Sequence, residues 1–211
     1  MNILAIETSV PTASLCLYAD GEVVCRRSWT AERNHDAYLF PALQEAMDTL
    51  GDRPLHDIVV GAGPGSYGGV RVALAAGVGI AAVKEARLVA VCSWAQLTDG
   101  TACVVSDARR GGWTLRRPSG DICILTTEEL KAELEAGTPV RSTEEPGTFA
   151  AKALPAPAEE GVSPTAEGLV QTWLGMTEEE RAAARKRPAE PIYVRPPHIT
   201  KALHKPWEIR K

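Results

Sequence analysis

The sequence predicts an α/β fold, and three observations carry that prediction. The first is a short, wholly apolar run, Ile3 to Ile6, as expected of a strand buried on both faces. The second is the order of patterns that follows. Two alternating strands, Ala13 to Tyr18 and Val23 to Trp29, precede a helix, a strand, a helix, a strand and a short helix. The third is the stretch Asp57 to Lys84, which reads as a β-branched strand, a glycine-rich turn and a helix made almost wholly of small residues. A strand meander followed by right-handed βα units is the signature of a ribonuclease H-like core, the half-unit of the actin-like ATPase fold. The expected architecture is therefore that βββαβαβα core with a second, reduced lobe.

Each element has its own warrant. Asp20-Gly21 is a two-residue hairpin signal, and a regular ladder beyond it sets Cys16 opposite Cys25. Asn34 is a good N-cap for a helix running through Leu50 and stopping at Gly51. Its apolar residues Leu39, Phe40, Leu43, Ala46, Met47 and Leu50 share one amphipathic face, and Pro41 is expected to kink the helix or end its first turn. Gly61 to Ser66 breaks the strand Asp57 to Val60. The next helix carries Gly69, Ala73, Gly77 and Ala81 on one face, which allows close backbone approach. With so little side-chain bulk, that helix is expected to be buried on most sides by its own domain or by a partner. Its uninterrupted apolar run, Val72 to Val83, is shorter than the ~20 residues of a membrane span. A strand at Leu88 to Val91 and a short helix near Trp94 to Leu97 complete the core.

The second half is thinner. Ala102 to Asp107, Trp113 to Arg117 and Ile122 to Leu125 read as strands, and Thr126 with Glu129 as a capping box. Residues 136–165 show little periodicity. Helices are expected at Ala166 to Leu174 and Glu178 to Arg187, with an extended Pro-rich end. The division predicted is 1–107 for the ribonuclease H-like lobe, 108–190 for the reduced lobe and 191–211 for an extended basic tail.

Composition narrows the function classes. A net charge of -4 over 211 residues gives no global pull toward nucleic acid or anionic membrane. The charge is uneven, however: Arg181 to Lys211 holds nine Lys/Arg against Glu190 and Glu208. Five cysteines with no C-x-x-C imply neither a zinc site nor a disulfide framework, and Met1 to Ile6 lacks the features of a signal peptide. The expected compartment is the cytoplasm.

No constellation rises to a catalytic or metal site. Gly63-Pro64-Gly65-Ser66-Tyr67-Gly68 matches G-x-G-x-x-G, but the next strand ends in Cys92-Ser93, with no acid for a ribose, and no Gly-Lys-Ser/Thr makes it a P-loop. Gly65-Ser66-Tyr67 is not a nucleophile elbow, and Ser66 reads as a helix cap. His35, His56, His198 and His204 are scattered. In an actin-like enzyme the turn after the first strand offers an acid for a metal and glycine amides for phosphate. Here that turn is Glu7-Thr8-Ser9-Val10-Pro11, with the acid and without the glycines. Asp107-Ala108-Arg109 follows a strand and reads by default as a surface ion pair.

The opening Asn2 to Ser9, with Ala13-Ser14, resembles the start of the TsaB (YeaZ) family. Gly63-Pro64-Gly65-Ser66-Tyr67-Gly68-Gly69-Val70-Arg71 is similar to that family's central signature. Supporting matches are His35 with Leu39 and Pro41, then Asp107-Ala108-Arg109, and Pro191-Ile192-Tyr193-Val194-Arg195-Pro196-Pro197. The resemblance is dense over 1–110, thin over 111–188 and returns at the tail. Gly68, Tyr67 and Glu7 stand where the family usually has Thr, Phe and Asp.

The resemblance implies a non-catalytic subunit of the machinery that makes N6-threonylcarbamoyladenosine (t6A) on tRNA. Its implied partners are a TsaD-type catalytic subunit, a TsaE-type ATPase, tRNA through the complex, and a second copy when TsaD is absent. It implies an interface on the first two helices, here His35, Leu39, Leu43, Ala46, Met47, Leu50, Val72, Ala73, Ala76, Gly77 and Ile80. It implies no cofactor, with ATP or ADP expected only at the partner interface. The family-motif residues are Glu7, Thr8, Ser9, Gly63, Pro64, Gly65, Ser66, Arg71, Asp107 and Arg109. The competing expectation is a catalytic actin-like ATPase or small-molecule kinase using Glu7 and Asp107. The basic tail is a candidate contact for tRNA or the partner.

Overall fold

The computed structural model describes residues 1–30 and 35–195. The expected cap Asn34, His198, His204 and the tail from 196 to 211 lie outside the described residues.

The first sheet has five strands in the order β3-β2-β1-β4-β5. β1 (Ile3–Glu7), β2 (Thr12–Ala19) and β3 (Glu22–Thr30) form the antiparallel meander. β4 (Asp57–Gly61) and β5 (Arg87–Val91) continue it in parallel. Alternation along β1 explains its unbroken apolarity. Leu4 and Ile6 enter one core, while Ile3 and Ala5 enter another on the opposite face.

One face is covered by α1 (His35–Leu50) and α2 (Tyr67–Lys84). The other is covered by α5 (Ala166–Gly175) and, at its edge, α6 (Glu178–Arg185). These last two helices fall within the 108–190 segment assigned to the second lobe, yet they return to the first sheet. The physical reason is that Ile3, Ala5, Cys16, Val59 and Val89 form an apolar face that the first half of the chain leaves uncovered; Leu169, Val170 and Trp173 cover it.

The second sheet, β8-β7-β6-β9, is built from β6 (Cys103–Asp107), β7 (Gly112–Arg116), β8 (Ile122–Thr126) and β9 (Val140–Ser142). The crossover between sheets therefore precedes β6, earlier than the expected boundary at 107. The core of this sheet joins Val105, Trp113 and Leu115 to Leu130 of α3 (Thr127–Glu135) and Phe149 of α4 (Thr148–Ala151). The Thr126/Glu129 capping box forms with both hydrogen bonds. A 3-10 helix, Ser93–Leu97, places Trp94 and Leu97 against Val104, so the sheets share a small junction core.

Three local expectations are corrected. Asp20 (φ 56°) and Gly21 (φ 92°) make the hairpin turn, but the ladder shifts between Leu17 and Tyr18. Cys16 consequently pairs with Arg26 and Leu17 with Cys25, which sends the two thiols to opposite faces of the sheet. Pro41 does not end the first turn of α1, which continues to Leu50; it lies on the exposed side, where water can satisfy the carbonyl freed one turn earlier. Phe40 departs from the buried face and is 63% exposed.

Candidate functional site

Three turns meet at the carboxyl ends of β1, β4 and β5, the edge where open α/β sheets place their functional groups. Their sequences are Glu7-Thr8-Ser9, Ala62 to Ser66 and Cys92-Ser93. The Ser66 amide donates to the Ser9 carbonyl (2.7 Å), and Ser93 N to the Gly63 carbonyl (2.9 Å). Gly63 N donates to Ser93 Oγ at 3.1 Å, and Ser9 N to Glu7 Oε1 at 2.8 Å. Ser66 caps α2 through the Gly69 amide at 3.3 Å.

Glycines are required here because backbones touch. A Cβ at Gly65 or Gly69 would fall well inside 3.0 Å of the Ser9 or Thr8 carbonyl. The amides of Ser9, Gly63 and Ser66 are thus bonded within the chain and are not offered to a phosphate.

Glu7 lies behind this closure, fully buried, with Oε2 unpartnered among the described residues. Burial pushes its carboxyl above the ordinary range, against hydrogen bonds from Ser9, Ser93 and Thr8 that favour the charged form. Asp107 sits elsewhere, at the end of β6, and pairs with Lys152 Nζ at 2.7 Å. Burial raises Asp107, but the Lys152 bond, the Arg109 amide and both cationic charges hold it below the ordinary carboxylate range. Among the described residues no hydrogen bond or ion pair joins Glu7 to Asp107, and no group of three His, Cys, Asp or Glu side chains could hold a metal.

What the structure does bring together is the set of sequence motifs. Residues 191–195 strap across the closed turns. Ile192 N donates to the Ala62 carbonyl (2.8 Å), and Tyr193 stacks on Tyr67 with ring centroids 5.2 Å apart. The Arg195 guanidinium donates to the Ala108 and Arg109 carbonyls at 3.3 and 3.1 Å. Gly112 leaves room for that guanidinium, since a Cβ there would collide with it. Arg71 lies over the Tyr67 ring.

Apart from His35, whose side chain lies outside those described, the expected interface residues divide by burial. Leu39, Leu43, Ala46, Leu50, Ala73 and Gly77 pack on their own sheet, so they are spent inside the fold. Met47, Val72, Ala76 and Ile80 lie partly buried at the margin of that core. The side of α2 facing away carries Ala75, Val78, Gly79, Ala82 and Val83, with Val78 57% and Val83 79% exposed. No charged residue interrupts α2 between Arg71 and Lys84. The described residues cover only one side of this helix, so burial on most sides by its own domain is not seen among them. Periodicity marks the core side of a helix, so it could not pick out Val78, Val83 or the exposed Tyr38 and Phe40 of α1. The available signal was that α2 is apolar all round.

A family model described as TsaD, tRNA N6-adenosine threonylcarbamoyltransferase, matches residues 29–135, just over half of the chain. The Bacillus subtilis (strain 168) tRNA threonylcarbamoyladenosine biosynthesis protein TsaB is 33% identical over 119 residues, covering 53% of this chain and 52% of that protein. The chain belongs to the TsaB (YeaZ) family. The Escherichia coli (strain K12) TsaB is 29% identical over 102 residues, 47% of this chain and 44% of that one. The chain thus spans about half the length of these two TsaB relatives. An uncharacterized Mycobacterium tuberculosis protein is 28% identical over 206 residues, 93% of this chain and 92% of its own. YeaZ from Pseudomonas aeruginosa superposes with a TM-score of 0.70 at 22% identity, over 91% of this chain and 99% of that one. The ribonuclease H-like, actin-like fold is the one this TsaB-family chain has.

Proposed function

We propose that this chain is a non-catalytic partner subunit in the biosynthesis of tRNA N6-threonylcarbamoyladenosine. It binds and activates a TsaD-type catalytic subunit, a TsaE-type ATPase joins the pair, and a second copy takes the same face when TsaD is absent. tRNA is met through the complex, in the cytoplasm. The reading is supported by the names of the TsaB relatives and the TsaD-type family model.

One observation carries it: the exposed side of α2, where Ala75, Val78, Gly79, Ala82 and Val83 form an uncharged strip against solvent. Small residues there let a partner helix approach closely, and an apolar strip of this kind gains by being covered. The ATPase or kinase reading on Glu7 and Asp107 draws no support from the geometry, because Glu7 is enclosed, the amides of Ser9, Gly63 and Ser66 are internally bonded, and Asp107 pairs with Lys152.

Light-scattering mass of the protein alone and mixed with the TsaD of the same organism tests the proposal. A stable mixed complex is expected. No change in mass, with or without ATP, would contradict it and return the Glu7 reading to consideration.

A further inference from the structure

The strap of residues 191–195 creates a surface that the partner reading does not use. Tyr67 and Tyr193 remain 53% and 51% exposed although they stack on each other, at 5.2 Å and an interplanar angle of 28°. Buried stacking would be ordinary core packing; two tyrosines that stack and still stay about half exposed leave ring surface open to a ligand. Arg71 sits 5.2 Å from the Tyr67 centroid, with its Nη1 3.3 Å from the Tyr67 hydroxyl. From Tyr193 the chain reaches Arg195, whose guanidinium is tied to the carbonyls of Ala108 and Arg109.

Those carbonyls belong to the β6–β7 hairpin. There Arg109 (φ 61°), Arg110 (φ 56°) and Gly111 (φ 73°) are consecutive left-handed residues. Two non-glycine residues in that region are strained, and the effect is to hold two exposed arginines at the tip. Among the described residues Arg71, Arg109, Arg110 and Arg195 form no ion pair with a carboxylate, a state they share with Arg87, Arg116 and Arg187, although the charge of Arg109 still acts on Asp107. On a chain of net charge -4, this is a local concentration of positive charge around exposed rings.

We propose that the face formed by Tyr67, Tyr193, Arg71, Arg109, Arg110 and Arg195 binds unpaired RNA, its rings stacking bases and its guanidiniums taking the flanking phosphates. Aromatic platforms beside arginines are how proteins hold single-stranded nucleic acid, since every base has a π face and every nucleotide a phosphate. An acidic protein segment would satisfy the arginines and leave the exposed rings unexplained. Only the identity of the RNA as a tRNA loop rests on the proposed function; the surface itself does not.

The test is fluorescence anisotropy of the full chain, without any TsaD-type protein, against labelled oligouridylate, a blunt RNA duplex and polyaspartate. Oligouridylate is expected to bind more tightly than duplex or polyaspartate. Tyr193→Ala should weaken it about tenfold and Tyr193→Phe should restore it, because the ring is what stacks. Arg109→Gln with Arg110→Gln should lower the salt slope by about 1.4, at roughly 0.7 per phosphate on single strands. Far-UV circular dichroism confirms that each variant is folded; the arginine pair keeps the test alive if Tyr193→Ala loosens the strap. Equal binding of polyaspartate, or oligouridylate affinity unmoved by both sets of variants, would overturn the proposal. Because no partner protein is present, that failure leaves the partner reading untouched.

Discussion

Thr8 and Gly69 touch backbone to backbone. The Thr8 hydroxyl donates to the Gly69 carbonyl at 2.7 Å, and the Thr8 carbonyl occupies the space that a Gly69 side chain would need. Since the obstruction is backbone, it cannot rotate away. Gly69→Ala is expected to destabilise the protein by about 1–3 kcal/mol, as overpacking does. Gly79, on the same helix, has nothing within 4 Å of a built Cβ, so Gly79→Ala should gain up to about 1 kcal/mol of helix propensity. Thermal melts of the two variants check the pair; a Gly69→Ala melt at or above the wild-type temperature would refute the close approach.

Glu7 should make stability depend on pH in an uncommon direction. Burial raises its folded value above the ordinary 4.5. Its contribution is therefore complete below that ordinary value and is lost as pH rises through the folded one. Glu7→Gln stays neutral and keeps an Oε1 acceptor for the Ser9 amide, which lies 2.8 Å from Glu7 Oε1. The Tm of the variant should gain on wild type as pH rises above the ordinary carboxylate value. Parallel curves would show that Glu7 is not penalised by burial.

Much of this fold was legible in the sequence because its signals were local. The unbroken apolar β1, the Asp20-Gly21 turn, the Ser66 cap and the Thr126 capping box each depend on a few neighbouring residues. What was not legible depended on distant ones. A bulge at Leu17/Tyr18 separates Cys16 from Cys25, and no composition signal marks it. α5 and α6 return to the first sheet, where Leu169, Val170 and Trp173 cover an apolar face and Trp173 and Arg185 reach Asp57, more than 100 residues away. At the site, the motif residues were visible, but not that residues 191–195 would clasp the glycine turn to the β6–β7 hairpin. Of the residues expected at the interface, Leu39, Leu43, Ala46, Leu50, Ala73 and Gly77 lie on the periodic side that the protein's own sheet covers.

Asp57 is fully buried and meets Arg185 through two bonds, 2.9 Å from Nε and 2.8 Å from Nη2, with Trp173 Nε1 at 3.2 Å. Arg185→Met strands that carboxylate. The expected cost is about 3 kcal/mol, or a Tm lower by roughly 10 °C. Lys131→Met, which removes the exposed Lys131–Glu135 pair at 3.7 Å, should leave the melt unchanged. Equal melts for both variants would mean that α6 is not held by this pair.

Cysteine chemistry offers a check on the bulge. Cys16 is buried and its thiol is pushed up to about 12, chiefly by burial, and Cys25 is buried on the opposite face. Native iodoacetamide labelling, read by peptide mass spectrometry, should leave both unmodified, and an oxidant should not join them. A Cys16–Cys25 disulfide in the folded protein would contradict the observed register.

The central claim is that the uncharged side of α2 receives a TsaD-type subunit. It is tested most directly by calorimetric titration of that subunit, from the same organism, into three proteins: wild type, Val78→Glu with Val83→Glu, and Glu179→Lys on α6. Glu179 is an exposed control on the other face of the sheet. The account predicts that wild type and Glu179→Lys bind alike, while the double variant loses at least about tenfold in affinity, because two carboxylates would be buried unpaired. Unchanged binding by the double variant would contradict it.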